Sequence, residues 1–149
     1  MAKRILVPLD ESVAAEAVVP LVAAIARDSG ATVRLLRVSR MPENRVTGDG
    51  RVVAYADQEM SRLESEGIDY LRTVEMHLDG GCDVDCVVRF GDAVAEILDE
   101  AEEFGADLIA VTTAGRSALG RTVLGSVAEQ VVRKAEAPVI LMRPARAAA

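Results

Sequence analysis

The chain has 149 residues, about the size of one ordinary domain, and its 17 basic and 24 acidic side chains give a formal charge of −7. This negative net charge argues against nucleic acids and anionic membranes as partners, because both bind to concentrated positive surfaces. With two Tyr, two Phe and no Trp, the sequence also lacks the aromatic platform on which single-stranded bases stack.

The amino-terminal segment is basic at Lys3-Arg4, apolar from Ile5 to Val7, and interrupted at Pro8-Leu9-Asp10. Its apolar part is far too short for the core of a signal peptide. No other apolar run approaches the ~18 residues that a membrane span needs. The sequence therefore predicts a cytoplasmic protein.

Five short runs rich in β-branched and aliphatic residues predict the strands of one sheet. The first, fourth and fifth are almost continuously apolar, which is typical of parallel strands covered on both faces. The five runs are Arg4–Pro8, Thr32–Val38, Asp83–Arg89, Leu108–Val111 and Val139–Met142.

Between these strands, apolar residues recur at the 3.6-residue period of amphipathic helices. The spacing predicts four helices, each with one inward face. In chain order, the four faces contain Ala14, Ala17, Val18, Leu21 and Ile25; Met60, Leu63, Leu71, Val74 and Leu78; Val94, Ile97, Leu98 and Ala101; and Val127, Val131, Val132 and Ala135.

Capping residues delimit these helices. Ser12 and Asp92 are candidate N-caps, and the segment from Ser126 to Glu129 fits the capping-box pattern. Helices one and three should end at two glycines, Gly30 and Gly105.

Two residues inside the predicted helices are unfavourable there. Pro20 should bend the first helix. Gly67 should weaken the second by roughly 1 kcal/mol relative to Ala. Residues 40–55 form one long irregular segment, either a flexible crossover or a mobile functional loop.

Strands that alternate with helices through right-handed crossovers form an open, twisted, parallel sheet with helices on both faces. Ligands of such sheets bind beyond the carboxyl ends of the strands, where the strand order reverses. The residues that follow strands one, two and four are therefore the candidates for a site.

Asp10 follows the first strand directly. A carboxylate at this position either hydrogen-bonds a base or sugar hydroxyl, or only helps to cap the first helix. The sequence of this segment leaves both interpretations open.

The segment from Thr112 to Ser126 follows the fourth strand and contains three glycines and two arginines, Arg116 and Arg121, before a capped helix. Glycines let the backbone approach an anion, and the free N–H groups at the helix start favour phosphate. Either arginine is suited to add charge-assisted bonds. The alternatives are a surface loop with turn glycines and a P-loop over residues 115–122, which lacks the lysine of that motif.

Cys82, Cys86 and His77 offer a metal or redox site as one interpretation. A C-x3-C spacing is unusual for zinc, and four ligands are not found nearby. Ordinary loop or strand cysteines and a surface histidine are the simpler interpretation. We predict no catalytic and no metal-binding residues.

Several segments together resemble the universal stress protein family, and the resemblance spans essentially the whole chain. Any one of them alone would be weak. They are Ile5-Leu6-Val7-Pro8-Leu9-Asp10, the strand that ends at Val38, Val87-Val88-Arg89-Phe90-Gly91-Asp92, Ala106-Asp107-Leu108-Ile109, Gly125-Ser126-Val127-Ala128-Glu129 and Ala137-Pro138-Val139-Ile140-Leu141-Met142.

The ATP-binding branch of that family has a pattern of Gly, two residues, Gly, nine residues, Gly, then Ser or Thr. Gly115, Gly125 and Ser126 match its second part, whereas Thr112 stands where the first glycine is expected. A branched side chain there either crowds the ligand or replaces a backbone contact with its hydroxyl.

The resemblance implies one Rossmann-like domain over residues 1–144 with strand order 3-2-1-4-5, followed by a frayed tail at 145–149. It implies a regulatory stress-response module that binds ATP, with or without Mg²⁺, and hydrolyses it slowly at most. The implied nucleotide-binding residues are Pro8, Asp10, Val38, Thr112, Gly115, Arg116, Gly125, Ser126 and Val127.

The resemblance also implies a homodimer that pairs through its last strand, Val139–Met142. An apolar edge strand is an aggregation hazard unless it is paired, which favours the same interpretation. The alternative function is a dimeric interaction protein of the same fold that binds no nucleotide, with Thr112 blocking the pocket.

Overall fold

The computed structural model describes residues 3–43, 45–46, 48, 52–78, 81–113 and 126–143. Three predicted site residues, Gly115, Arg116 and Gly125, lie outside these residues, as does the predicted tail 145–149. In chain order, the elements are β1 (Arg4–Pro8), α1 (Val13–Glu16), α2 (Val19–Ser29), β2 (Thr32–Ser39), β3 (Arg45–Val46), β4 (Val52–Ala54), α3 (Ala56–Glu75), β5 (Asp83–Phe90), α4 (Ala93–Phe104), β6 (Leu108–Thr112), α5 (Ser126–Lys134) and β7 (Val139–Met142).

The main sheet has five parallel strands in the order β5-β2-β1-β6-β7. When only these five strands are numbered along the chain, their order is 3-2-1-4-5, as predicted. The predicted fold class is confirmed. β1 and β7 have their predicted bounds, while β2, β5 and β6 each extend one residue further at the carboxyl end.

A hydrophobic layer covers each face of the sheet. On one face α2 and α3 pack against Ile5 and Val7, and on the other α4 and α5 pack against Leu6. β1 is therefore buried from both sides, as its uninterrupted apolar sequence predicts.

The prediction of one bent first helix is wrong. The chain forms α1 and α2 with a break at Ala17 and Val18, and Pro20 lies in the first turn of α2. Proline is tolerated there because the N–H that it lacks would have no partner within the helix. The break also changes the inward face: Val22 and Ala26 are buried, and Leu21 is exposed.

The predicted inward face of α5 is half wrong. Val131 is buried, but Val127 and Val132 are exposed, and Ala128 takes the second buried position. α5 packs against α4, and Ala128 and Val131 are its residues in the hydrophobic cluster that also contains Ile97 and Phe104 of α4.

The segment 40–55, predicted as irregular, contains a short antiparallel pair formed by β3 and β4. The valines of these strands flank Gly48 and Gly50, and β-branched runs on either side of a glycine turn are a hairpin signal. The predicted helix ends agree better. Ser12 and Asp92 cap α1 and α4, and Gly30 and Gly105 end α2 and α4 in the left-handed conformation.

A charged network fixes α4 to the sheet. Glu100 is only 4% exposed, and its carboxylate accepts from Arg34 of β2 at 2.9 Å and from Arg89 of β5 at 2.7 Å. The Arg34 guanidinium also lies 4.1 Å from the centroid of the Phe104 ring. Hydrogen bonds to Glu100, Glu103 and Glu96 raise the pKa of Arg89.

None of the helices within the described residues is both long enough and apolar enough to cross a bilayer.

Gly67 packs against the sheet rather than merely weakening α3. It is buried, and a Cβ at this position would lie 2.7 Å from Cγ2 of Val88 on β5. Valine is stiff about χ1, so it does not easily move away.

We therefore expect Gly67→Ala to lower the free energy of unfolding by about 1–2 kcal/mol, although alanine is the better helix former. Ser65→Ala, at an exposed position of the same helix, is the control and should be neutral or slightly stabilising. Urea unfolding measures both. An alanine at position 67 that stabilises the protein would contradict this account of the packing.

Candidate functional site

A cleft of about 300 Å³ opens at the carboxyl ends of β1, β2 and β6. Its walls come from these strands, from α1, and from the amino-terminal turns of α4 and α5. The lining residues are Pro8, Leu9, Asp10, Ala15, Leu36, Arg37, Val38, Ala93, Ile97, Val111, Thr112, Ser126, Val127 and Ala128. All six predicted site residues that the structure describes are among them.

The backbone of Val38 is turned toward this cleft. The N–H of Leu9 donates to the carbonyl of Leu36 at 2.8 Å, so Leu36 hydrogen-bonds toward β1. Ser39 faces the opposite neighbour, because its carbonyl accepts from Gly91 after β5. Backbone groups alternate between the two neighbours, so Val38 points to the β1 side, where β1 has already ended.

The turn between β1 and α1 is tightly organised. Asp10 Oδ1 accepts from the N–H of Ser12, and Ser12 Oγ accepts from the N–H of Ala15, both at 3.0 Å. Glu11 between them has φ +69°, a conformation that costs a residue with a side chain about 1 kcal/mol or more. Asp10 thus organises the start of α1 and also lines the cleft, so the described contacts leave both of its predicted roles open.

The opposite end of the cleft is formed by the start of α5. Ser126, Val127 and Ala128 of its first turn line the cleft. The first N–H groups of a helix have no intrahelical acceptors, and they carry its partial positive charge. The helix begins at Ser126, where the capping pattern predicts its start.

Thr112 lines the cleft and is also bonded across it. Its hydroxyl donates to the carbonyl of Ala15 in α1 at 3.1 Å. The side chain that replaces the motif glycine thus connects the end of β6 to α1.

Arg37 is a cleft residue that the sequence analysis missed. Its Nη1 donates to the carbonyl of Val38 at 2.5 Å, and its Nε lies 3.8 Å from Glu11 Oε1. The sequence did contain a signal: a charged residue, Arg37, lies next to Val38 near the end of a strand that is otherwise largely apolar. A strand pattern alone does not say whether such a residue reaches solvent or folds back over the strand end.

The two cysteines and the histidine are not drawn together into a site. His77 is exposed near the end of α3, and Cys82 and Cys86 are half-buried free thiols. Burial raises the pKa of the Cys82 thiol, and it raises that of Cys86 to about 11. Within the described ranges, no three His, Cys, Asp or Glu side chains are grouped to hold a metal ion.

Residues 1–143 match the model of the universal stress protein family. The chain belongs to this family. The resemblance read from the sequence segments is confirmed at the family level.

Universal stress proteins from two organisms are similar in sequence. Universal stress protein YxiE of Bacillus subtilis is 27% identical over 96% of this chain and 100% of its own length. Universal stress protein MJ0531 of Methanocaldococcus jannaschii is 37% identical over 54% of this chain, and this chain spans 48% of that protein.

The solved structure of MJ0577, a universal stress protein of the same archaeon, superimposes with a TM-score of 0.82 at 28% identity. The superposition covers 99% of both chains. Two more distant structures are complexes: a universal stress protein with cAMP (TM-score 0.63, 20% identity) and one from Archaeoglobus fulgidus with dAMP (TM-score 0.59, 22% identity). At these identities the last two share the fold with this chain.

The Thr112 hydrogen bond predicts a stability difference between two similar substitutions. Thr112→Val keeps the shape and removes the hydroxyl, so we expect it to lower the free energy of unfolding by about 1 kcal/mol. Thr112→Ser keeps the hydroxyl and should stay closer to the wild type. Chemical denaturation compares the pair, and a valine variant as stable as the wild type would disprove the contact.

Proposed function

We propose that this protein is an ATP-binding regulatory module of the stress response without fast catalysis. The observation that carries the proposal is the cleft, which joins the Val38 backbone and Asp10 at one end to the first turn of α5 at the other. A nucleotide needs both ends, a polar edge to recognise its base and an anion site for its phosphates.

The walls between these ends fit the middle of such a ligand. Leu36, Ile97 and Val111 provide apolar surface, which suits the faces of a purine ring. Asp10 supplies a carboxylate acceptor for a sugar hydroxyl. In this proposal Pro8, Asp10 and Val38 border the base and sugar, while Ser126 and Val127 contact the phosphates.

The predicted contributions of Gly115, Arg116 and Gly125 to phosphate binding remain part of the proposal. The family membership supports it, since relatives with the same fold have been crystallised with cAMP and dAMP. Both ligands are adenine nucleotides.

Slow or absent turnover is part of this proposal. Among those that the structure describes, Asp10 is the one carboxylate, and none is a histidine, lysine or cysteine. Asp10 is bonded to the Ser12 backbone. No nucleophile paired with a general base is therefore available among them.

Calorimetric titration with ATP, with and without Mg²⁺, tests the proposal. At ATP concentrations near 100 times the Kd, binding should stabilise the protein by about 2.7 kcal/mol, which raises the melting temperature by roughly 5–10 °C. Absence of both heat and a thermal shift would overturn it. If Thr112→Gly alone then restored binding, the alternative of a dimeric interaction protein with a blocked pocket would be supported.

The proposed phosphate position at the start of α5 predicts what a negative charge at Ser126 would do. Ser126→Asp should weaken ATP binding at least tenfold by repelling the phosphates, while an acidic residue at a helix start leaves α5 stable. Ser126→Asn, neutral and of similar size, is the control. Adenosine, which has no phosphate, should bind both variants equally, and an ATP affinity insensitive to the aspartate would place the phosphates elsewhere.

We also propose that the protein forms a homodimer through β7. This strand ends the sheet, and no strand among the described residues pairs with its outer edge. Its four residues are all apolar, and Leu141 is 37% exposed. The opposite edge strand, β5, carries Asp83, Asp85 and Arg89, and charges of this kind discourage edge pairing.

Leu141→Lys should therefore convert the dimer to a monomer in size-exclusion chromatography with light scattering at micromolar concentration. Met76→Lys adds the same charge at an exposed apolar position on the far side of the sheet, and it should leave the dimer intact. A wild-type protein that is already a monomer would refute the proposed interface.

A further inference from the structure

We propose that Arg37 shifts the nucleobase preference of this cleft, weakening the binding of a 6-amino purine relative to a 6-keto purine. The inference rests on the proposed function, in which the base lies against Val38. Arg37 is not among the nucleotide-binding residues that the family resemblance implies.

The backbone edge of Val38 provides a donor and an acceptor, its N–H and its C=O, beyond the end of β1. Adenine presents a matching edge, because its exocyclic amino group donates and its ring N1 accepts. A 6-keto purine presents the opposite polarity at the same two positions. Without any side chain nearby, the Val38 edge would therefore favour adenine.

Arg37 changes the polarity of that edge. Its guanidinium already donates to the Val38 carbonyl at 2.5 Å, which is where the adenine amino group would need to donate. A carbonyl oxygen has two lone pairs and accepts a second bond. The second donor, however, would lie beside a cation that repels the amino hydrogens and attracts a keto oxygen.

Two contacts besides the hydrogen bond to Val38 hold the Arg37 side chain at this position. Its Nε is 3.8 Å from the Glu11 carboxylate, and its Cγ packs over the position of Gly67 in α3. The Arg37 side chain is 22% exposed. Glu11 is itself held in the left-handed backbone conformation by the turn that Asp10 and Ser12 organise.

Arg37 therefore adds a cost to the binding of adenine that it does not add to the binding of a keto base. A keto base has a separate cost, because its N1–H faces the Val38 N–H. The adenine amino group can donate to the Val38 carbonyl without repulsion from the guanidinium only if Arg37 breaks its hydrogen bond and moves away from the Glu11 carboxylate. For a keto oxygen, the same guanidinium stays in place and becomes a donor to the ligand.

The test compares ATP with inosine triphosphate, which carries a keto oxygen in place of the amino group and has the same sugar and phosphates. Calorimetric titration gives both Kd values for the wild type and for Arg37→Met, which keeps the apolar stem and removes the guanidinium. The ratio Kd(ATP)/Kd(ITP) should fall about tenfold or more in the variant, as expected for loss of one charge-assisted hydrogen bond.

Arg72→Met removes the same charge from an exposed position of α3, and it should change both affinities equally if at all. Glu11→Gln leaves Arg37 in place with a weaker tether, so it should lower the ratio in the same direction by a smaller factor. It also carries the test if Arg37→Met does not fold.

The outcomes separate the two proposals. Binding of both nucleotides with a ratio that neither Arg37→Met nor Glu11→Gln changes would overturn the role of Arg37 and leave nucleotide binding intact. Failure of both nucleotides to bind the wild type and the variants would overturn the proposed function, and this inference with it.

Discussion

The central strand β1 ends before its neighbour β2 does, and the cleft exists because of this difference. Ile5, Leu6 and Val7 are at most 1% exposed, so β1 is fixed between two hydrophobic layers. The last hydrogen bond between the two strands comes from Leu9, whereas β2 continues to Ser39. Within the described residues, the backbone of Val38 consequently has no strand partner on that side, and its carbonyl accepts instead from the Arg37 guanidinium.

The chain leaves β1 through a turn that connects three walls of the cleft. Asp10 and Ser12 organise it, and Glu11 reaches across to Arg37 of β2. Ala15 of the following helix accepts the hydroxyl of Thr112 at the end of β6. Strain at Glu11 is sustained by these surrounding bonds, which is the usual circumstance of an unfavourable backbone conformation at a functional site.

The opposite wall depends on a different interaction. α4 is fixed by the buried Glu100 between Arg34 and Arg89, and α5 packs on α4 through Ala128 and Val131. Loss of one partner from a buried ion network leaves uncompensated charge. The Glu100 network thus holds α4, one of the elements against which α5 packs.

Local sequence predicted the five strands of the main sheet, their parallel arrangement and the caps of α1 and α4, because hydrophobic period and capping chemistry are properties of neighbouring residues. The family resemblance predicted a set of site residues, and those that the structure describes share one cleft: Pro8, Asp10, Val38, Thr112, Ser126 and Val127. Tertiary structure decided what short segments do not encode: the break before Pro20, the packing of Gly67 on Val88, and the exposed valines of α5. It also decided the direction of Arg37, because whether a side chain at a strand end turns to solvent or back over the backbone depends on the carboxylate and helix that the fold brings beside it.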